Sequence, residues 1–181
     1  DLQCSRARAL LALGQKEEAF NTAQPLWLIG RSQHKACDPV FRAWRKSDLP
    51  TSLVVKRLEL AFARGNRTLV RYLRGLLPEN RRGLADTWLA LRQRPQDAQK
   101  YAKRRFDGLD RILTGSLKRW AYFEPDRAIR AWPRLAEQRP TLERNALAAH
   151  FGALLFRRQR HREAEIWLRE ARPEDMTERM N

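Results

Sequence analysis

At 181 residues with 43% hydrophobic side chains, the chain is long enough to bury a core as one domain or as one continuous stack of repeats. A mean hydropathy of −0.70 and 32% charged residues leave no apolar run near the roughly 18 residues that span a bilayer, which excludes a membrane-spanning helix. Lys and Arg number 37 against 21 Asp and Glu, a net charge of +16 that attracts polyanions, yet the excess is mostly arginine spread along the whole length, which argues for a solvated surface over a single nucleic-acid groove. The chain opens at Asp1 with no initiator Met, basic leader or apolar h-region, so any targeting segment is expected to have been removed or to lie outside it.

Apolar residues recur at helical spacing, and short stretches marked by Gly, Pro, Asn or Asp separate them. Cys4 falls in a first helix, and a second helical run spans Lys16 to Leu28, interrupted by Pro25, which should remove a hydrogen bond and kink it. Gly30 and Gly65-Asn66 suit helix ends that need positive φ, and Asp38-Pro39 suits an N-cap followed by the first position of a third helix. Stripes then follow at Val54, Leu58, Ala61 and Phe62, at Leu84, Trp88 and Leu91, and at Leu147, Phe151, Leu154 and Leu155. A loose repeat marks the second helices, in Gly14 to Ala19, Pro95 to Ala98, Pro125 to Ala128 and His161 to Ala164. In the last of these, Ala164, Trp167, Leu168 and Ala171 form a packing face. The uneven spacing predicts an all-α fold, an irregular α-superhelix (an α/α solenoid) of stacked antiparallel helix pairs, forming a single domain over 1–181.

Chemistry-bearing constellations are sparse. His34, His150 and His161 are far apart and outside any metal-ligand spacing, the eight glycines form no phosphate loop, and no Gly-x-Ser-x-Gly elbow occurs, so no metal or other cofactor is expected. Glu59, Glu163 and Glu165 read as solvated helix residues, and no residue is assigned a catalytic role. Trp27, Trp44, Trp88, Trp120, Trp132 and Trp167 lie mostly on apolar stripes and read as core. Cys4 and Cys37 are compatible with either buried free thiols or a bridge between adjacent helices.

Around those cysteines the sequence is specific: Gln3-Cys4, Glu18-Ala19, Ala23, Leu26-Trp27-Leu28, Gly30, Ser32, Ala36-Cys37-Asp38, Phe41 and Trp44. It continues through Arg57-Leu58-Glu59-Leu60-Ala61, Gly65-Asn66, Leu69-Val70 and Pro78. This pattern resembles the N-terminal superhelical domain of the soluble lytic murein transglycosylase family; from Arg82 onward the likeness is one of order and length, and Pro25 departs from it.

The resemblance implies a periplasmic bacterial protein, a ring-forming α-superhelix, and a parent enzyme that cleaves peptidoglycan glycan strands to leave 1,6-anhydromuramoyl ends. It implies a fragment, partnered by peptidoglycan, by the catalytic domain of the same parent chain and by other cell-wall proteins. The family's catalytic Glu-Ser-x-x-Asn-Pro, Gly-Leu-Met-Gln and Ala-Tyr-Asn-Ala-Gly segments do not occur between Asp1 and Asn181, so the chain itself is expected to be inactive. Should that expectation fail, Glu59, Glu124 and Glu143 are the carboxylates to revisit. An oxidising compartment implies a disulfide between Cys4 and Cys37. Arg127, Arg130 and Arg134, at helical spacing, and the turn carrying Arg157, Arg158, Arg160 and Arg162 are candidate contacts for the acidic groups of peptidoglycan. A helical-repeat scaffold for protein partners is the alternative reading; an RNA-binding repeat is disfavoured because the strict 35-residue period and paired base-reading positions are missing.

Overall fold

The computed structural model describes residues 2–142 and 144–171. Among them are eleven α-helices and no strand: α1 (Leu2–Ala12), α2 (Lys16–Trp27), α3 (Asp38–Ser47), α4 (Thr51–Ala63), α5 (Arg67–Leu76), α6 (Gly83–Gln93), α7 (Ala98–Tyr101), α8 (Leu109–Phe123), α9 (Pro125–Gln138), α10 (Arg144–Arg157) and α11 (His161–Leu168). Single 3-10 turns occupy Lys35–Cys37, Glu79–Arg81 and Pro95–Asp97. Successive helices pack as pairs, α1 on α2, α4 on α5, α8 on α9 and α10 on α11, which is the all-α, α/α solenoid architecture the periodicity predicts. The chain divides into two compact units, 1–85 and 86–181, with the division inside α6.

In the first unit, Ala7, Ala19 and Ala23 are fully buried, and their small side chains let α1 and α2 approach closely. The core then thickens into an aromatic cluster. Phe20 stacks on Trp44 at 5.4 Å, and Phe41 meets Trp27 edge-on at 5.1 Å. Such pairs contribute about 0.5–1.5 kcal/mol each beyond the area they bury. The Trp27 indole N–H donates to the Leu53 carbonyl at 3.2 Å, which fixes α2 against the start of α4. Val54, Leu58 and Ala61 of α4 are buried as their stripe predicts, and Leu69, Val70 and Leu73 answer them from α5.

A disulfide joins Cys4 of α1 to Cys37, with Cα atoms 4.8 Å apart across a sequence separation of 33. Both residues are buried. The bridge ties the first helix to the entrance of α3, which α1 also touches directly.

Three local expectations need correction. Helix α3 begins at Asp38 rather than being capped by it, because a 3-10 turn runs directly into it and leaves Cys37 at the N-cap position, with Pro39 second. His34 caps that 3-10 turn, its ring nitrogen accepting from the Ala36 amide at 3.2 Å. Helix α2 continues past Pro25 and stops at Trp27, one residue short of the expected end. Positive φ is found at Gly14, Gly65 and Gly108 but not at Gly30. The need for glycine at position 30 is steric: a Cβ there would stand 2.3 Å from the Leu60 carbonyl oxygen.

In the second unit, α8 is the central helix, touching α9 and α10 through Leu109, Ile112, Leu113, Leu117 and Ala121, all buried. The Leu147, Phe151, Leu154 and Leu155 stripe of α10 is buried too. Phe151 meets Trp167 of α11 edge-on at 4.9 Å. Five of the six tryptophans are buried; Trp120 is half-buried and donates its N–H to Glu124 at 2.9 Å. Arg139, at the end of α9, pairs with Asp110 of α8 and donates to the Arg104 carbonyl at 2.9 Å, closing the segment between α7 and α8.

Two outcomes follow for stability. Gly30→Ala forces backbone apart and should lower unfolding free energy by about 1–3 kcal/mol, whereas Gly115→Ala in α8, where an added Cβ meets nothing, should raise it by about 0.5–1 kcal/mol; urea titration of both variants measures the contrast. Reducing the Cys4–Cys37 bridge should cost roughly 3 to 4 kcal/mol by loop closure, read as the difference between oxidised and reduced unfolding curves.

Candidate functional site

In the second unit, the α10–α11 turn with its candidate arginines meets the start of α9, which carries the rest along its length. Arg160 bridges to Asp126 at 2.7 Å and to Glu163 at 2.5 Å. Arg158 donates to the Tyr122 carbonyl at 2.8 Å. These contacts hold the α10–α11 turn against the junction of α8 and α9. The turn itself needs Gln159 at φ 61, which lets the chain reverse within a few residues.

The seven arginines play unequal parts. Arg127 pairs with Glu124 at 2.8 Å, so Arg127, Arg158 and Arg160 are engaged in structure. Arg130, Arg134, Arg157 and Arg162 are exposed and make no hydrogen bond or ion pair through their side chains with the other described residues. Arg127, Arg130 and Arg134 run along α9 beside the buried Ala128, Trp132 and Leu135. Large apolar groups lie exposed at the same corner: Tyr122 and Phe123, whose rings meet edge-on at 5.3 Å, and Phe156, which packs on His161 at 4.9 Å. Exposed rings beside exposed cations make this the surface on which an interaction is most readily proposed.

Of the carboxylates considered, Glu124 accepts from both Trp120 and Arg127, Glu163 from Arg160, and Glu165 from Arg169 at 2.5 Å. Glu59 is half-buried on α4, and Glu143 lies outside the described residues. Among the described residues no group of three or more His, Cys, Asp or Glu is arranged to hold a metal ion, and no helix is long and apolar enough to cross a membrane. The Nε2 of His150 lies 2.9 Å from the Lys118 carbonyl oxygen.

One residue with an unusual environment escaped the sequence reading. Arg57 is 3% exposed, with its guanidinium 4.2 Å over the Trp27 ring and 5.5 Å from Phe41. Burial pushes its pKa down to about 10, with the Tyr72 hydroxyl opposing that shift. The signal was positional: Val54, Arg57 and Ala61 fall at i, i+3 and i+7, which puts an arginine on a core-facing stripe.

This arrangement of consecutive helix pairs defines a helical-repeat protein with a cationic, ring-studded corner. Over 104 residues, 57% of its length, the chain is 36% identical to the soluble lytic murein transglycosylase of Escherichia coli K12 and 35% identical to that of Salmonella typhimurium. It spans 16% of the length of these relatives. The crystal structure of the 70 kDa soluble lytic transglycosylase SLT70 from E. coli superposes with a TM-score of 0.74 and 28% identity, over 84% of this chain and 25% of that one. The lytic transglycosylase Slt of Pseudomonas aeruginosa, solved as an inactive mutant, matches 96% of this chain and 34% of its own with a TM-score of 0.56 and 26% identity. No family-wide sequence profile matches. The chain is thus similar, in sequence and in fold, to the N-terminal superhelical part of soluble lytic murein transglycosylases.

Hydrogen bonds from Arg160 hold the Glu163 carboxyl below its ordinary range, and hydrogen bonds from Arg144 do the same to Glu170. Both acids therefore add stability above their unfolded pKa and lose it as pH falls through the lower folded value; the arginines stay charged throughout and add no slope. Amide protection in α11 should accordingly decline as pH drops from 6 toward 3, and Glu163→Gln should flatten that decline at the turn. Hydrogen exchange, corrected for the intrinsic pH dependence, reads both.

Proposed function

We propose that this chain is the non-catalytic superhelical part of a periplasmic lytic murein transglycosylase, and that it helps a separate catalytic domain of the same parent polypeptide engage peptidoglycan. One observation carries the reading: a 36%-identical segment and a fold match over 84% of the chain both lead to the same enzymes. Two of the described carboxylates, Glu163 and Glu170, are also unsuited to general-acid catalysis. A general acid needs a desolvated carboxyl held protonated near neutrality, whereas Glu163 and Glu170 are shifted the other way.

The cationic corner supplies the attachment. Exposed rings such as Tyr122 and Phe156 fit the faces of sugars, and Arg130, Arg134, Arg157 and Arg162 fit the carboxylates that peptidoglycan carries. Exposed ion pairs are worth about 0–1 kcal/mol each and are screened beyond about 8 Å at physiological salt, so attachment is weak and salt-sensitive.

Purified sacculi incubated with this polypeptide should release no anhydromuropeptides, while the same polypeptide joined to the catalytic region of a soluble lytic transglycosylase should release them. The isolated chain should sediment with sacculi at low salt and lose that attachment as salt rises, and replacing Arg130, Arg134, Arg157 and Arg162 together with Gln should abolish it. Anhydro products from the isolated chain would overturn the non-catalytic reading. Sedimentation that is absent at low salt or indifferent to the four substitutions would overturn the attachment surface.

A further inference from the structure

The first unit contains a cleft of about 400 Å³ between α3, the start of α5 and the segment that follows α2. That lies within the roughly 300–1,000 Å³ typical of small-ligand pockets. Arg42, Arg45 and Arg57 all line it, against a single carboxylate, Asp38. Two of these cations are at the rim. Arg45 lies over the Tyr72 ring at 5.5 Å and donates to the Phe41 carbonyl at 3.2 Å. Arg42 is exposed and its guanidinium has no partner among the described residues.

Arg57 forms the floor, and it is the unusual element. One of its terminal nitrogens donates to the Arg31 carbonyl at 3.2 Å, while its buried Nε has no hydrogen-bond acceptor. A charge this deep normally has an anionic partner, because an uncompensated buried ion costs several kcal/mol. Here aromatic faces and one carbonyl are what it has. The cation is held in place by rings and a carbonyl rather than by an anion, at the bottom of a cleft whose rim is also cationic.

The ligand class follows from what the cleft lacks. Phosphate sites commonly use a nest of free amides at a helix N-terminus. Neither helix start bordering this cleft favours that mode: α3 carries the negative Asp38 in its first turn, which opposes a second anion there, and α5 is capped by Asn66, whose side chain accepts from the Leu69 amide at 3.1 Å. Recognition therefore falls to guanidinium groups, whose planar fork matches a carboxylate or a phosphate, and the apolar part of the lining favours the carboxylate of an organic ligand. Phe41 and Leu69 add apolar wall, and Tyr72 a hydroxyl. We propose that this cleft binds the terminal carboxylate of a short peptide, with Arg57 and Arg42 facing the carboxylate and Phe41 and Leu69 packing against the preceding small side chain. This proposal does not depend on the peptidoglycan reading.

The test titrates the 181-residue chain, followed by amide NMR, with N-acetyl-D-alanyl-D-alanine, its L,L isomer, the C-terminal amide of each, and inorganic phosphate. At least one peptide acid should saturate, with shifts confined to the cleft around Arg42, Leu69 and Tyr72. Its amide should bind at least about tenfold more weakly, the scale of one lost charge-assisted hydrogen bond. Arg42→Gln, a change at an exposed side chain, should weaken the acid by a similar factor with the circular dichroism unchanged. Arg57→Met provides a second reading, and any folded form of it should not bind the acid. The proposal is overturned if amide and acid bind alike, if phosphate binds more tightly than the acids, if the shifts lie elsewhere, if Arg42→Gln leaves affinity unchanged, or if neither acid saturates below about 20 mM, which corresponds to about 2.3 kcal/mol of binding.

Discussion

The guanidinium of Arg57 lies 4.2 Å over the indole of Trp27, and much of the first unit is organised around that contact. Trp27 comes from α2, its edge-on neighbour Phe41 from α3, and both Arg57 and the Leu53 carbonyl that accepts the indole N–H from α4. Three helices therefore meet at one ring. Desolvating a cation costs several kcal/mol. A desolvated cation–π contact returns about 2 kcal/mol and the hydrogen bond that Arg57 donates to the Arg31 carbonyl about 1.5–3 kcal/mol, so the site comes near balance only with the ring and that carbonyl both in place. Loss of either would leave a buried charge without compensation, which makes the positions of α2, α3 and α4 mutually dependent. The disulfide then adds α1 to the same assembly through Cys37 at the entrance to α3.

How much of this was legible in the sequence depends on the range of the interaction. Stripes such as Val54, Leu58 and Ala61 or Leu147, Phe151 and Leu154 could be read because periodicity is local and burial follows it. The cysteine pair could be read because a family pattern surrounds both residues. Gly30 was identified as necessary but for the wrong reason: its constraint is the Leu60 carbonyl, thirty positions away in sequence, and no local rule contains that distance. The start of α3 was misplaced by one residue because a 3-10 turn blends into it, and the two share the αR backbone at Cys37.

The candidate arginines show the same limit more sharply. Their spacing on α9 and in the α10–α11 turn was visible, and so was their exposure. That Arg160 reaches Asp126, thirty-four residues earlier, was not, nor that Arg158 caps the Tyr122 carbonyl. These partners turn two of the seven cations into clamps between the α10–α11 turn and the α8–α9 junction. Arg57 was passed over for the opposite reason. A rule that expects arginine on the solvated face discounts one on the buried stripe, although that is where an ionised group most needs explaining.

The net charge of +16 therefore divides into cations with different physical consequences. Exposed guanidiniums such as Arg130 and Arg157 act through a screened field, additive and weak, suited to holding a polyvalent surface without selecting any feature of it. A buried guanidinium is screened much less, and an anion that reaches it gains more because the protein has already met the desolvation cost in folding. Arg57 differs further in being immobilised by Trp27 and Phe41, so a ligand meeting it loses little side-chain entropy. Selectivity within the first unit is consequently expected at the one cation that the fold buries, and general adhesion at the cations that it leaves in water.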